Sequence, residues 1–135
     1  MIYMDTSALT KLIIAEQESD ALTVWVAEQA EAHETLTTSD VGRIELMRTA
    51  ARRDDDEIFD HARYVANWIN GASVTEEIVA GAEHIGPPSL RSLDAIHLAS
   101  AVSIRELVSA FVSYDKRLLD AARAEGLPVV SPGAA

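Results

Sequence analysis

Ala110-Phe111-Val112-Ser113-Tyr114-Asp115-Lys116-Arg117-Leu118 is the stretch on which the fold turns. An apolar, β-prone run passes through an acid into a helix-forming segment. The N-terminus does the same, with Ile2-Tyr3-Met4 running into Asp5-Thr6-Ser7. In an open parallel α/β sheet the carboxyl ends of the strands line one shared crevice, and ligands bind there. Two further acids occupy related places. Glu45 lies just inside a helix that follows the strand-like Thr35-Leu36-Thr37-Thr38, and Asp94 opens the apolar helix Ala95-Ile96-His97-Leu98-Ala99. Acids far apart in sequence are thereby expected to meet at one point. At about 4 Å and an effective dielectric near 20, each carboxylate pair there would cost on the order of 4 kcal/mol. A divalent cation resolves that repulsion, and an all-oxygen site suits magnesium or manganese.

Working outward, strands and helices alternate. The first strand is Ile2 to Asp5, and Thr6 or Ser7 is expected to cap a helix through about Ile14. A second helix starts at Ser19-Asp20, with Leu22, Trp25, Val26 and Gln29 near helical spacing. After the strand Thr35 to Thr38, Ser39 or Asp40 caps a helix from Val41 to about Arg53. Val41, Ile44, Met47 and Ala51 are its expected apolar face. The acids at 54–56 break the chain and cap the next helix, whose buried face reads Ile58, Ala62, Val65, Ala66 and Ile69. Asn70-Gly71 is expected to end it, with the glycine near a left-handed position. Ala72-Ser73-Val74 reads as a weak strand. Thr75-Glu76-Glu77 opens a helix to about His84, and Gly86-Pro87-Pro88 breaks the chain. Ser92 to about Leu107 is the most apolar helix. Phe111 to Tyr114 is a strand, and Asp115 to Ala124 a helix with Leu118, Leu119 and Ala122 inward, stopped at Glu125-Gly126. Pro128-Val129-Val130 suits an edge strand, because an edge need not donate to a ladder. The alternation predicts an α/β fold on a parallel sheet.

The 135 residues are expected to form a single domain, 1–135, with a core of Ala, Val, Leu and Ile. Apolar residues make up 48%, which excludes intrinsic disorder, while 5% aromatics leaves few rings for base stacking. There is no cysteine, so disulfides, thiolate zinc sites and cysteine nucleophiles are excluded, and a cytoplasmic setting is expected. The N-terminus lacks the basic and apolar regions of a signal peptide. No apolar stretch approaches membrane-spanning length. The net charge of −11 is unusual for a nucleic-acid binder. Basic charge nevertheless gathers near the acids: Arg43, Arg48, Arg52 and Arg53 around Glu45, and Arg91, Lys116 and Arg117 flanking the others.

Together Asp5-Thr6-Ser7, Arg43-Ile44-Glu45, Leu93-Asp94-Ala95-Ile96-His97-Leu98-Ala99-Ser100-Ala101 and Val112-Ser113-Tyr114-Asp115-Lys116-Arg117-Leu118 resemble the PIN-domain family. Within it they look most like the VapC-type toxins of toxin–antitoxin pairs. The resemblance runs from Ile2 to about Gly133. It implies a PIN-like three-layer α/β/α sandwich with a central parallel sheet of four to five strands. It implies a magnesium-dependent endoribonuclease, manganese being plausible. Asp5, Glu45, Asp94 and Asp115 are the implied catalytic acids, with Asp5, Asp94 and Asp115 as metal ligands. Thr6, Ser7 and Ser113 are candidates to orient those carboxylates. Arg43, Arg91 and Lys116 are candidate contacts to RNA phosphates. The implied partners are RNA and a VapB-type antitoxin that wraps the helices around Ala21–Ala30 and Val41–Ile69 and places a basic side chain in the acidic pocket. A homodimer, joined into a larger complex with the antitoxin, is also implied.

Each acid has a plainer reading. Asp5 and Asp115 serve as helix caps, Asp94 as a first-turn acid favoured by the helix dipole, and Glu45 as a surface partner of Arg43 or Arg48. His97, three residues after Asp94 on nearly the same face, reads first as a packed, hydrogen-bonded residue. The sharper alternatives are metal ligand and proton shuttle. Trp25 and Trp68 read as core or interface. Other functions remain in view: an RNA-processing PIN nuclease, a catalytically silent binding module and a phosphoacceptor receiver domain. The receiver would need adjacent acids after the first strand, and this chain has one.

Overall fold

The computed structural model describes residues 1–134. Five short strands, β1 (Ile2–Met4), β2 (Leu36–Ser39), β3 (Asn70–Ala72), β4 (Ala110–Val112) and β5 (Val129–Val130), form one sheet in the order β3-β2-β1-β4-β5. Every pairing is parallel. The helices are α1 (Thr6–Ile13), α2 (Ser19–Glu31), α3 (Asp40–Arg52), α4 (Asp56–Trp68), α5 (Glu76–Ala82), α6 (Ser92–Ser103) and α7 (Lys116–Ala124). A 3₁₀ turn at Arg105–Leu107 follows α6, so the long apolar helix expected through Leu107 ends a turn early.

Alternation along the central strands sorts the core into two layers, since successive strand side chains point to opposite faces. Ile2, Met4, Ala110 and Val112 join Leu9, Leu22, Leu46 and Val65 under α1–α4. Tyr3 and Phe111 point the other way and pack with Leu98 of α6 and Leu118 and Ala122 of α7. Their rings stack 5.5 Å apart. A sheet covered on both faces has strands buried throughout. All of β1, β2 and β4 is buried accordingly, including the polar Thr37, Thr38 and Ser39. This is the expected three-layer sandwich, with five strands.

Of the local expectations, the α3 and α4 caps hold and several others change. Asp5, rather than Thr6 or Ser7, caps α1, its carboxylate accepting from the Ala8 amide. Ser39 caps α3 and Asp55 caps α4. The buried face of α3 is Gly42, Leu46 and Ala50, while Ile44 is 59% exposed. Both sets of positions have helical spacing. The crowded packing of α3 against its neighbours favours small residues, and a Cβ on Gly42 would lie 2.5 Å from Thr38 Oγ1. The third strand is Asn70–Ala72, two residues earlier than expected. Gly71 is therefore extended, and its role is spatial: a Cβ there would meet Asp40 Oδ1 at 2.3 Å. Gly126 does adopt a left-handed φ of 83° after α7. Among the described residues, no helix is long and apolar enough to cross a membrane.

Candidate active site

Strand order creates the site. β1 lies between β2 and β4, so the chain leaves the sheet in opposite directions on either side of it. A crevice opens at such a switch point, beyond the carboxyl ends of the strands. Met4 is in register with Val112, so the next residues, Asp5 and Ser113, emerge side by side. The Ser113 hydroxyl donates to Asp5 Oδ2 across 2.7 Å, and the Ser7 hydroxyl donates to the same carboxylate at 2.7 and 2.9 Å. Each serine is itself held. Ser7 Oγ accepts from the Tyr114 amide at 2.9 Å, and Ser113 Oγ from the Asp115 amide at 3.1 Å. Asp5 is 2% exposed. Burial pushes its carboxyl pKa up, against the Ser113, Ser7 and Ala8 hydrogen bonds and the nearby His97, which favour the charged form.

The cleft above Asp5 has a volume of about 300 Å³ and is walled by Asp5, Thr6, Glu45, Arg91, Asp94 and Asp115. The four acids therefore come from the ends of β1 and β4 and from two helices, α3 and α6, onto one cavity. Asp115 caps α7, Oδ1 accepting from the Arg117 and Leu118 amides at 2.9 and 3.1 Å. The plain capping reading of Asp5 and Asp115 is thus also true; in each, the cap fixes the carboxylate at the cleft. Asp94 lies in the first turn of α6. Burial raises its carboxyl pKa, and the neighbouring charges of Asp115, Asp5 and Glu45 add to that. Glu45 is held below the usual range, with His97 as the main cause and the Thr6 hydroxyl, donating at 2.7 Å, as a second.

A second cavity, of about 440 Å³, continues past Asp94 and Asp115. Ser89, Arg91, Lys116 and Arg117 line it. Among the described residues none of these three cations forms an ion pair. Arg43 differs from the expectation. Its Nη1 donates to the Ile69 carbonyl at 3.1 Å, tying α3 to the end of α4, and it lines neither cavity. The expectation missed Ser89 as a groove residue, and named Arg117 as basic charge flanking the acids but not as a phosphate contact. It also missed Tyr3, which contacts His97. For Tyr3 the only sequence signal was its place in a strand beside the first acid.

The donor set suits a hard divalent cation: four carboxylates line one cleft, and burial together with the charges of Asp115, Asp5 and Glu45 raises the Asp94 pKa. Among the described residues no three of the acidic or imidazole groups yet stand close enough to form a cage.

The PIN domain family model matches residues 2–124. The chain belongs to the PIN-domain family. It is 48% identical to Ribonuclease VapC47 of Mycobacterium tuberculosis (strain CDC 1551 / Oshkosh), covering 99% of this chain and 98% of that protein. It is 41% identical to Ribonuclease VapC35 of the same strain, covering 100% and 99%. These relatives place it among the VapC-type PIN domains. Solved PIN structures share the architecture. VapBC2 from Rickettsia felis, bound to a promoter DNA fragment, aligns with a TM-score of 0.72 at 13% identity, over 98% of this chain and 99% of that one. VapC20 of M. tuberculosis, a sarcin–ricin-loop-cleaving toxin, gives 0.68 at 16% identity, over 98% and 100%. At such identities the likeness is one of fold. PIN-domain ribonucleases of the VapC type depend on a divalent metal, which agrees with the donor chemistry of the cleft.

Proposed function

We propose that this chain, as one domain over residues 1–135, is an endoribonuclease toxin that hydrolyses RNA phosphodiester bonds at the Asp5–Glu45–Asp94–Asp115 cleft. The observation that carries the reading is the convergence of four carboxylates from four parts of the chain on one cavity, in a full-length relative of VapC ribonucleases. Asp5, Asp94 and Asp115 are the proposed metal ligands. Magnesium is the proposed ion and manganese the alternative. A cation held there would supply a nucleophilic water at neutral pH and offset charge on the phosphoryl oxygens. Glu45, kept ionised by its neighbours, is proposed to accept a proton or a hydrogen bond at the cleft wall. Ser7 and Ser113 hold Asp5 with both oxygens hydrogen-bonded, so its orientation is fixed before substrate arrives. Arg91, at the junction of the two cavities, and Lys116 and Arg117 beyond it, are proposed to hold RNA phosphates, which position a substrate without reading its bases.

The proposed partner is a VapB-type antitoxin, as the solved relatives in toxin–antitoxin complexes suggest. Tyr64 and Trp68 on α4 are 66% and 54% exposed, and Val24 on α2 is also open. These side chains suit an apolar partner segment or a second copy of the chain. The acidic cleft and the net charge of −11 suit a basic one. A cytoplasmic setting belongs to the same proposal. The test is cleavage of total cellular RNA by purified protein with magnesium, manganese or EDTA, mapping fragment 5′ ends, with Asp94→Asn alongside. Metal-dependent cuts at defined sites, absent in the variant, are expected. Equal cutting by the variant assigns the activity to a contaminant, and no cutting by folded protein with either metal removes the enzymatic reading.

A further inference from the structure

Four side chains from four elements form one hydrogen-bonded line behind the cleft. Tyr3 OH lies 2.9 Å from His97 Nδ1. His97 Nε2 lies 3.0 Å from Thr6 Oγ1. The Thr6 hydroxyl donates to Glu45 Oε1 at 2.7 Å. Proton counting sets the direction. A threonine hydroxyl has one proton, and here Glu45 takes it. Thr6 Oγ1 must then accept from His97, so a neutral ring carries its proton on Nε2. Nδ1 is left as an acceptor, and Tyr3, fully buried, supplies the matching donor. Each link of the line then has one donor and one acceptor.

The packing makes this arrangement hard to leave. His97 is 1% exposed. Its ring meets Tyr3 edge-on with centroids 5.8 Å apart. On its other side, Gly42 leaves the room that the ring needs: a Cβ there would lie 2.8 Å from His97 Cε1. Among the described residues Glu45 Oε2 has no hydrogen-bond partner, so only one carboxylate oxygen is anchored.

We propose that His97 is a positioning residue for Glu45: with its proton on Nε2 and Nδ1 capped by the Tyr3 hydroxyl, it fixes the Thr6 hydroxyl as a donor, which anchors Oε1 and leaves Oε2 as the working oxygen at the cleft. His97 itself touches neither substrate nor metal. The inference rests on the nuclease reading for its consequence in catalysis, but the proton order is a property of the folded chain alone. With the ring protonated on Nδ1 instead, Nε2 would attract the Thr6 proton, and Glu45 would lose its anchor.

Two measurements test this. The first is the ¹⁵N spectrum of the His97 ring in the intact protein at neutral pH. A proton on Nε2 with a bare Nδ1 is expected, and it is expected to persist in Tyr3→Phe, because the Thr6–Glu45 end still requires it. A ring protonated on Nδ1 alone, or on both nitrogens, overturns the proposal. This arm needs no activity, so it stands apart from failure of the nuclease reading. The second compares His97→Gln with His97→Asn on the RNA fragment that the total-RNA assay identifies. Glutamine can present its amide nitrogen where Nε2 was, and asparagine reaches only as far as Nδ1. The expected result is kcat within about threefold of the parent for His97→Gln and about tenfold lower for His97→Asn, with KM unchanged in both. Melting temperatures are expected to fall by similar amounts in both. Equal loss of kcat in the two variants means that His97 only packs, and no loss in either means that Glu45 needs no such anchor; either result overturns the proposal.

Discussion

Ser113 and Asp5, 108 positions apart in sequence, are joined by a hydrogen bond of 2.7 Å at the point where β1 and β4 leave the sheet. Both are buried, so the bond has no solvent substitute. Ser113→Ala leaves Asp5 Oδ2 without this donor. A loss of about 1–3 kcal/mol in stability is expected, or roughly 3–9 °C in Tm for a chain of this size. Thermal unfolding in EDTA measures it. An unchanged Tm would mean that Ser7 alone satisfies the carboxylate.

Asp94 is repelled by Asp115, Asp5 and Glu45 as well as desolvated. Neutralising it relieves that strain, so Asp94→Asn is expected to melt a few degrees above the parent in EDTA, at about 3 °C per kcal/mol. With magnesium the order reverses, because the parent gains stability by binding the ion in its native state and the variant largely does not. A variant that is less stable than the parent in EDTA contradicts the repulsion argument.

The same groups fix a pH dependence. The folded-state pKa values of Asp5 and Asp94 are raised. Their contribution to stability is therefore fully present below the unfolded carboxylate pKa and is lost as pH rises through the raised folded value. Glu45 is lowered and contributes in the opposite sense, losing stability as pH falls through its folded value. Glu18 and Glu34 are lowered too, by Lys11 and the N-terminal amine, but they lie near the surface where solvent screens them. The almost fully buried Asp5, with Asp94, therefore sets the net sign. Metal-free protein should gain Tm as pH falls from neutrality toward the raised values, while the magnesium-induced gain in Tm shrinks as protons compete for the ligands. Melting curves with EDTA and with magnesium, from pH 7.5 to roughly 5, check both signs. A metal-free Tm that falls monotonically on acidification runs against the assignment.

Arg91, Lys116 and Arg117 line the groove that continues the cleft, whereas Arg43 is tied to the Ile69 carbonyl. Alanine at Lys116 or Arg117 should weaken binding of a labelled single-stranded RNA in EDTA. The salt slope of log K should become shallower by about 0.7 for each phosphate that is no longer neutralised. Arg43→Ala should leave that slope unchanged and lower Tm instead. A reduced slope in Arg43→Ala would return it to the RNA-binding set.

Gly42 faces Thr38 and His97 with no room for a methyl group. Gly42→Ala should cost about 1–3 kcal/mol through overpacking. Cleavage should fall further than stability alone explains, since the displaced ring is the one linked through Thr6 to Glu45. Activity retained at a temperature where the variant is fully folded would separate the packing of His97 from its hold on Glu45.

The sequence by itself determined the alternation of strands and helices, the acids at the strand ends and the apolar face of α4, because each depends on near neighbours in the chain. Asp5, Asp115 and Gly126 are legible for the same reason: a cap and a left-handed stop act within one turn. Tertiary structure decided what local patterns leave degenerate. On α3, Val41, Ile44, Met47 and Ala51 repeat like a buried face, yet Gly42, Leu46 and Ala50 are inside, since close packing against Thr38 and His97 rewards small side chains over apolar ones. The third strand moved to Asn70–Ala72, whose residues carry little β-propensity, because pairing with β2 supplies the ladder that side chains do not specify. Arg43 left the cleft for a backbone carbonyl that no helical spacing foretells. The link from Tyr3 through His97 and Thr6 to Glu45 exists only once β1, α1, α3 and α6 are assembled. Spacing along a chain says which face of an element a residue occupies, and only the sheet order says what that face meets.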